Sequence, residues 1–261
     1  MPWRETEDPY EILISEVMLQ QTQVDRVRTK YEEFLRRFPD VFALARAPLS
    51  DVLRAWSGLG YNRRARYLHE CARTVVSRFD GKFPHTYQEL MQLPGIGMST
   101  AGALLAFSFG QETPMIDTNI RRILMRVFFA KTKIKPRDKE LYVFASSLIP
   151  KNKGRDWNYA MLDVGASLCT ARGHALHCPL AALHGKVDDV KKKYPQKKFA
   201  GSKRFYRGQI LRLLVEKEQV TIPSLVKTLK LPKAELLGII EELISEQFII
   251  SVRGKLSLCT S

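Results

Sequence analysis

Before residue 186, apolar residues recur along most of the chain at helical intervals. Between 9 and 38 they fall at Ile12, Leu13, Val17, Leu19 and Val24, then at Tyr31, Phe34 and Leu35. That is the spacing of a helical stripe facing a core. The same pattern predicts helices over 49–57, with Ser50 or Asp51 as cap, and over 62–79, 87–92, 98–109, 115–129, 137–149 and 157–168. No stretch before residue 200 alternates as a strand does, so this part is expected to be all-α. GLGY at 58–61 and LPGIG at 93–97 interrupt the helices, because glycine and proline break helical backbone.

The pattern changes at KVDDVKKKYPQKKFAGSKR, residues 186–204, which is polar, basic and poor in apolar positions. It reads as a linker or solvated arm. Residues 205–261 then give three amphipathic helical segments, FYRGQILRLLVEK, TIPSLVKTLK with Thr221 as cap, and LPKAELLGIIEELISEQ. FIISVRGKLSLC follows, alternating about Arg253-Gly254-Lys255 as a hairpin does. The expected architecture is mainly α, with a helical domain over 1–185, a basic linker over 186–204 and a small winged-helix-like domain over 205–261. A winged helix reads DNA with its third helix. That segment carries Glu235, Glu241, Glu242 and Glu246, which would repel phosphates, so protein docking or packing stands beside DNA contact as its role.

Composition narrows the partner. The net charge of +15 points to a polyanion, nucleic acid first. No apolar run reaches membrane-spanning length, and MPWRETEDPYE has no apolar signal core, so a cytoplasmic, nucleoid-associated monomer with no membrane partner is expected. Cys71, Cys169, Cys178 and Cys259 are too scattered for a disulfide framework.

The LPGIG turn precedes a helix, and its glycines let backbone amides point outward at that helix's start, an anion site suited to phosphate. Such a contact positions DNA without reading sequence. Some twenty residues later an isolated Asp sits against an apolar run in MIDTNIRRIL. Together with PWRETEDPYEILISEVMLQQTQV (2–24), GLGY with RAR and LH (58–69), LPGIGMSTAGALL (93–105), IDTNIRRIL (116–124) and NYAMLDVGASLC (158–169), these features resemble the helix-hairpin-helix (HhH-GPD) DNA glycosylase superfamily. Within it the chain resembles the MutY branch of adenine glycosylases more than the endonuclease III branch. The likeness covers roughly residues 2–185. It implies two all-helical lobes, a flipped-out nucleotide and base-excision repair of double-stranded DNA carrying a mispaired or damaged base.

The resemblance also assigns roles. Glu16 matches the general acid that protonates a departing purine, which a raised pKa would allow. Asp117 matches the carboxylate that stabilises the sugar cation or captures it, and Asn119 a residue that positions sugar or water. Ser99 occupies the place where bifunctional glycosylase/lyases carry a Schiff-base Lys, so a monofunctional enzyme is implied. Gln21 and Tyr61 match residues inserted at the lesion. Trp3, Arg4 and Tyr159 match the pocket, and Leu93, Gly95, Gly97, Ser99 and Thr100 the phosphate-binding hairpin.

The chain departs from the MutY pattern in its cysteine loop, CTARGHALHCPLAALHGK. Cys169 and Cys178 hold the first and third positions of a four-cysteine iron–sulfur loop. Ala175 and His184 hold the others, a poor donor set, so no cluster and no metal are expected. The segment after 204 does not read as the nudix-like domain of typical MutY proteins. Tyr159 stands where relatives have Gln or Glu, and Asn62 where they have a second Tyr. Three readings stay open: adenine removal opposite G or 8-oxoguanine, removal of thymine, uracil or a deaminated purine, and a catalytically silent DNA-structure-binding protein.

Overall fold

The computed structural model describes residues 1–132, 135–171, 173–174, 177–183 and 199–260. The chain forms two compact units, each built from two separated segments: Met1–Val17 with Phe83–Tyr194, and Met18–Lys82 with Pro195–Ser261. The sequence boundaries at 185 and 204 are therefore not the divisions of this fold. The segment after 195 belongs with residues 18–82, and most of the expected linker lies outside the described residues.

The first unit holds most of α1 (Pro9–Leu19), then α6 (Tyr87–Leu90), α7 (Met98–Phe107), α8 (Thr118–Phe128), α9 (Asp138–Ser146) and α10 (Gly154–Asp163). Helix α10 runs on into a π turn at Val164–Leu168. The expected helix over 115–129 starts only at Thr118, because the Asp117 side chain caps it and the residues before it are extended. Helix α7 packs on that extended stretch through Gly102, whose added Cβ would lie 2.4 Å from the Pro114 carbonyl oxygen. The all-α expectation is corrected by one two-residue antiparallel pair, β1 (Cys169–Thr170) with β2 (Gly173–His174). It is too short to leave an alternating pattern.

The second unit begins with α2 (Val24–Arg37), α3 (Val41–Arg46), α4 (Leu49–Ala55) and α5 (Arg63–Phe79). The long helix expected over 9–38 is two helices, α1 and α2, broken at a turn where Gln21 is left-handed (φ 57). Helix α3 was not legible: six residues give too few turns for a period. The expected caps of α4 are also corrected. Pro48 stands at its N-cap, while Asp51 lies in the first turn and pairs with Arg54 and Arg37. Phe34, Leu44, Trp56, Leu68, Cys71 and Val75 form the core, with Trp56 edge-on to Phe34.

The C-terminal part of this unit follows winged-helix order: α11 (Lys203–Lys217), β3 (Gln219–Thr221), α12 (Ile222–Leu229), α13 (Lys233–Ser245), β4 (Ile249–Val252) and β5 (Lys255–Leu258). Thr221 caps α12 as expected, accepting from the Ser224 amide. Arg253 and Gly254 are both left-handed, as a two-residue hairpin needs. The short β3 adds a third strand, giving the sheet order β3-β5-β4. The glutamates at the end of α13 do not face outward unpaired. Glu246 accepts from Arg63 and Arg207, each at 2.6 Å, and Glu242 pairs with Lys203 and Arg207. The Arg66 guanidinium also reaches the Glu246 carbonyl. These contacts fasten the module to α5.

The closeness of Gly102 to Pro114 gives a test. Gly102→Ala is expected to cost about 1–3 kcal/mol through overpacking. It would appear as a lower denaturant midpoint, and a midpoint at or above the parent's would show that α7 has room for a methyl group.

Candidate active site

Glu16 projects from α1 beside the buried Leu13, Val17 and Met18. Its side chain keeps partial accessibility, but its carboxyl is stripped of water. Desolvation first, and the charge of Asp117 second, push its pKa up to about 8. Glu16 thus holds a proton at neutral pH.

Asp117 is held differently. It caps α8, with Oδ1 accepting from the Asn119 and Ile120 amides at 2.8 and 2.7 Å and Oδ2 accepting from Asn119 Nδ2 at 3.1 Å. Desolvation raises its pKa above the ordinary value, while those hydrogen bonds and the nearby Arg122 act the other way. Arg122 in turn donates to Asn119 Oδ1 at 2.9 Å, to the Gly165 carbonyl at 2.7 Å and to the Cys169 carbonyl. Asn119 therefore orients the carboxylate and is itself oriented by Arg122, whose guanidinium is anchored on the π turn after α10. Gly165 makes room for it: a Cβ there would sit 2.7 Å from Asn119 Cβ. The approach to Asp117 is fixed by Asn158, fully buried, which accepts from the Met115 amide at 2.8 Å and donates to the Thr113 and Gly154 carbonyls.

Tyr159 joins this group. Burial raises the pKa of its phenol, Arg155 and Arg4 act the other way, and the charge of Glu16 adds to the rise. The ring stacks on Phe107, centroids 4.2 Å apart and 6° from parallel, with the Arg4 guanidinium 4.6 Å from its centroid. Arg4 is pinned by a two-pronged pair with Asp163, at 2.6 and 2.9 Å. Trp3 is buried in the short 3-10 turn at Pro2–Arg4. Arg155 ties this segment down through the Arg4, Thr6 and Phe107 carbonyls, each at 2.8 Å.

The hairpin lies in the same unit. Gly95 is left-handed (φ 76), and Gly97 caps α7 with no side-chain hydrogen bond to that helix. The first amides of α7, those of Met98, Ser99 and Thr100, have no carbonyl within the helix to bond. Gly95 and Gly97 are exposed, Ser99 is partly buried, and Leu93 and Thr100 are buried. Leu93 contributes its carbonyl to the turn, accepting from Ile96.

Gln21 and Tyr61 belong to the second unit. Both are exposed, and both are non-glycine residues at left-handed φ, 57° and 47°, a conformation that L side chains rarely adopt. One buried side chain holds both turns. Arg64 donates to the Met18 and Gln20 carbonyls at 2.9 and 2.6 Å, to Thr22 Oγ1 at 3.0 Å, and to the Leu59 and Gly60 carbonyls. Burial lowers its pKa to about 10, still far above neutrality.

Cys169 and Cys178 pack against Ile123, with Val127, Met161, Leu168 and Leu180 around them. Arg126 donates to Cys169 Sγ at 3.3 Å. Among the described residues no group of three His, Cys, Asp or Glu could hold a metal; Ala175 and His184 lie outside them. Arg64, Arg122, Arg155 and Asn158 were absent from the sequence-based site. Their only signal is a polar residue within an otherwise core-forming helix, as Asn158 is, which does not say what it bonds.

Comparison with known proteins gives a consistent result. A family model described as HhH-GPD superfamily base excision DNA repair protein matches residues 14–150. An adenine DNA glycosylase of Mycolicibacterium smegmatis is 35% identical over 221 residues, 82% of this chain and 75% of that protein. The adenine DNA glycosylase of Buchnera aphidicola subsp. Baizongia pistaciae is 40% identical over 181 residues, 69% of this chain but only 52% of its own length. Among solved structures, a thermostable thymine-DNA glycosylase is 31% identical with a TM-score of 0.66, covering 70% of this chain and 86% of that one. A trapped endonuclease III–DNA covalent intermediate is 24% identical with a TM-score of 0.61, covering 67% and 82%, and shows the fold.

The Glu16 carboxyl gives a stability test. Its folded pKa is raised from 4.5 to about 8, so across that window the folded protein holds a proton that the unfolded chain has lost. Stability from this group is present at low pH and declines as pH rises through the window. Glu16→Gln is expected to raise Tm over the parent at pH 8 by about 2 °C or more, the shift given by a gain of ~1 kcal/mol in a chain of this size, and to match it near pH 4. A gap that does not change with pH would mean the carboxyl is not desolvated.

Proposed function

We propose that this chain, which belongs to the HhH-GPD superfamily of base excision DNA repair proteins and to its MutY-like branch, is a monofunctional glycosylase removing adenine from mispaired double-stranded DNA. The observation that carries the reading is the division of labour between two carboxyls in one unit. Glu16 is protonated near neutrality beside Asp117, which is anchored by three hydrogen bonds from its own helix start.

In this reading Glu16 gives its proton to N7 of an extruded adenine. The C1′–N9 bond then breaks heterolytically, and its electron pair leaves with the base. Asp117 stabilises the cationic sugar, with Asn119 and Arg122 fixing its direction. Water adds to C1′ and returns a proton to Glu16, leaving free adenine and an abasic site. Ser99 has no amine to form an imine with the sugar, so the strand stays intact. Gln21 and Tyr61 fill the stack vacated by the base. The exposed hairpin amides and the basic surface hold phosphates. Tyr159 on Phe107 gives the base a flat wall.

The iron–sulfur loop does not fit a cluster. Two thiols packed in an apolar cluster, with Ala175 at a ligand position, leave too few donors, and no step needs one. Purified protein is expected to contain no stoichiometric iron and no visible cluster absorption. Iron at cluster stoichiometry would overturn that statement.

The activity is tested by single-turnover base release from labelled A:8-oxoguanine, A:G, G:T, G:U and hypoxanthine:T duplexes, with alkali added to reveal abasic sites. Adenine release is expected, without strand cleavage before alkali. It should hold below about pH 8 and fall above it as Glu16 ionises. Glu16→Gln should lower the rate at least ~100-fold, the usual contribution of a general acid. Thymine or uracil release instead would place the chain with the thymine-DNA glycosylase it resembles in structure, with Tyr159 the first residue to exchange. No release from any duplex would leave the binding-protein reading.

A further inference from the structure

The second unit contains a groove of which the reading above uses only the turns of Gln21 and Tyr61. It encloses about 1210 Å³ between the Gln20–Gln23 turn, the GLGY loop and α11. Six arginines line it, Arg26, Arg63, Arg64, Arg204, Arg207 and Arg212, against two glutamates, Glu242 and Glu246. Both glutamates are already neutralised by Arg63, Arg207 and Lys203. Arg26 and Arg204 are exposed and form no ion pair among the described residues, and Arg212 pairs only with Glu216 on its own helix. The groove is strongly positive, and Gln21 and Tyr61 open onto it.

The sequence of α11 adds an independent observation. Arg204, Gly208 and Arg212 follow one another at four-residue steps, so they share one helix face. Gly208 is exposed and lines the groove, and a Cβ placed on it meets no atom within 4 Å. Glycine inside a helix costs roughly 0.8–1.0 kcal/mol against alanine, and no packing among the described residues requires it. A notch between two arginines, open to solvent, suits the close approach of another backbone.

The carboxylates at the C-terminal end of α13 are bonded to α5 and α11. That end is occupied in docking, while on α11 Arg204 forms no ion pair among the described residues and Arg212 pairs within its own helix.

We propose that the Arg204–Gly208–Arg212 face of α11, with Arg26 across the groove, binds the phosphodiester backbone of DNA, so that the C-terminal module grips the duplex with its first helix and not its third. The proposal rests on the DNA glycosylase reading above for the identity of the polyanion. The interaction is with phosphate and carries no base preference. It extends the DNA footprint from the two lesion-side turns onto a module whose third helix is turned to other work.

The test is fluorescence anisotropy with the full chain, a labelled A:G duplex and its fully paired counterpart, across a salt series. The double variant Arg204→Ala/Arg212→Ala is expected to weaken binding to both duplexes and to flatten the log–log salt slope by about 1.8, near 0.9 for each phosphate no longer neutralised. Gly208→Leu should weaken binding to both duplexes without lowering Tm, since leucine is the better helix former. Lys233→Ala, at the start of α13, should leave the slope as it was. Unchanged affinity and slope in the α11 variants would overturn the proposal, as would a loss confined to the mismatched duplex or a drop seen only with Lys233→Ala. Base release by the parent chain is measured alongside. A parent that releases no base, with the slope still flattened in the double variant, would end the glycosylase reading and leave the groove standing.

Discussion

The site depends on where the negative charge of Asp117 is held. A carboxylate beside an apolar helix is costly unless the surrounding structure supplies donors for it. Here the donors are the first free amides of α8 and the amide of Asn119. That arrangement serves two purposes at once. It starts the helix, and it keeps a charge near Glu16 that helps the second carboxyl keep its proton. Two acids in one desolvated place thus differ in environment: hydrogen bonds oppose the upward shift of Asp117, while burial and the charge of Asp117 both raise Glu16. Asn119, Arg122 and the small Gly165 make the geometry rigid, and Asn158 fixes the segment that delivers it.

A similar economy governs the second unit. Arg64 is buried, charged and surrounded by carbonyl oxygens from two turns that are far apart in sequence. A guanidinium has enough donors to satisfy such a set, and it stays ionised even with its pKa lowered. The two turns it joins each carry a side chain in a backbone conformation that non-glycine residues avoid. The surrounding bonds offset that strain, so that Gln21 and Tyr61 stand exposed with their backbones already set.

Much of this could be read from the sequence, but unevenly. Helices of ten residues or more announced themselves by period, and the glycines of LPGIG and Arg253-Gly254 by the turns they permit. Glu16 and Asp117 were visible only because several motifs occurred together in order; each alone reads as an ordinary helix residue. What stayed hidden was short or long-range. Helix α3 and strand β3 hold too few residues to show a period. Arg64 and Arg122 bond carbonyls 40 or more residues away, which no local pattern encodes. Glu246 was read as part of a repelling surface because its partner on α5 lies about 180 residues earlier.

The alternation of segments between the two units has a consequence for synthesis. Residues 18–82 leave the ribosome early, yet the unit they belong to is completed by residues after 195. Met1–Val17 likewise waits for the stretch after Phe83 before its own core can close. Neither unit is a single continuous segment of the chain. Contacts of such sequence separation slow folding and keep apolar faces open while translation proceeds. The ion pair of Glu246 with Arg63 closes one of the longest of these separations, joining α5 to a residue synthesised about 180 positions later.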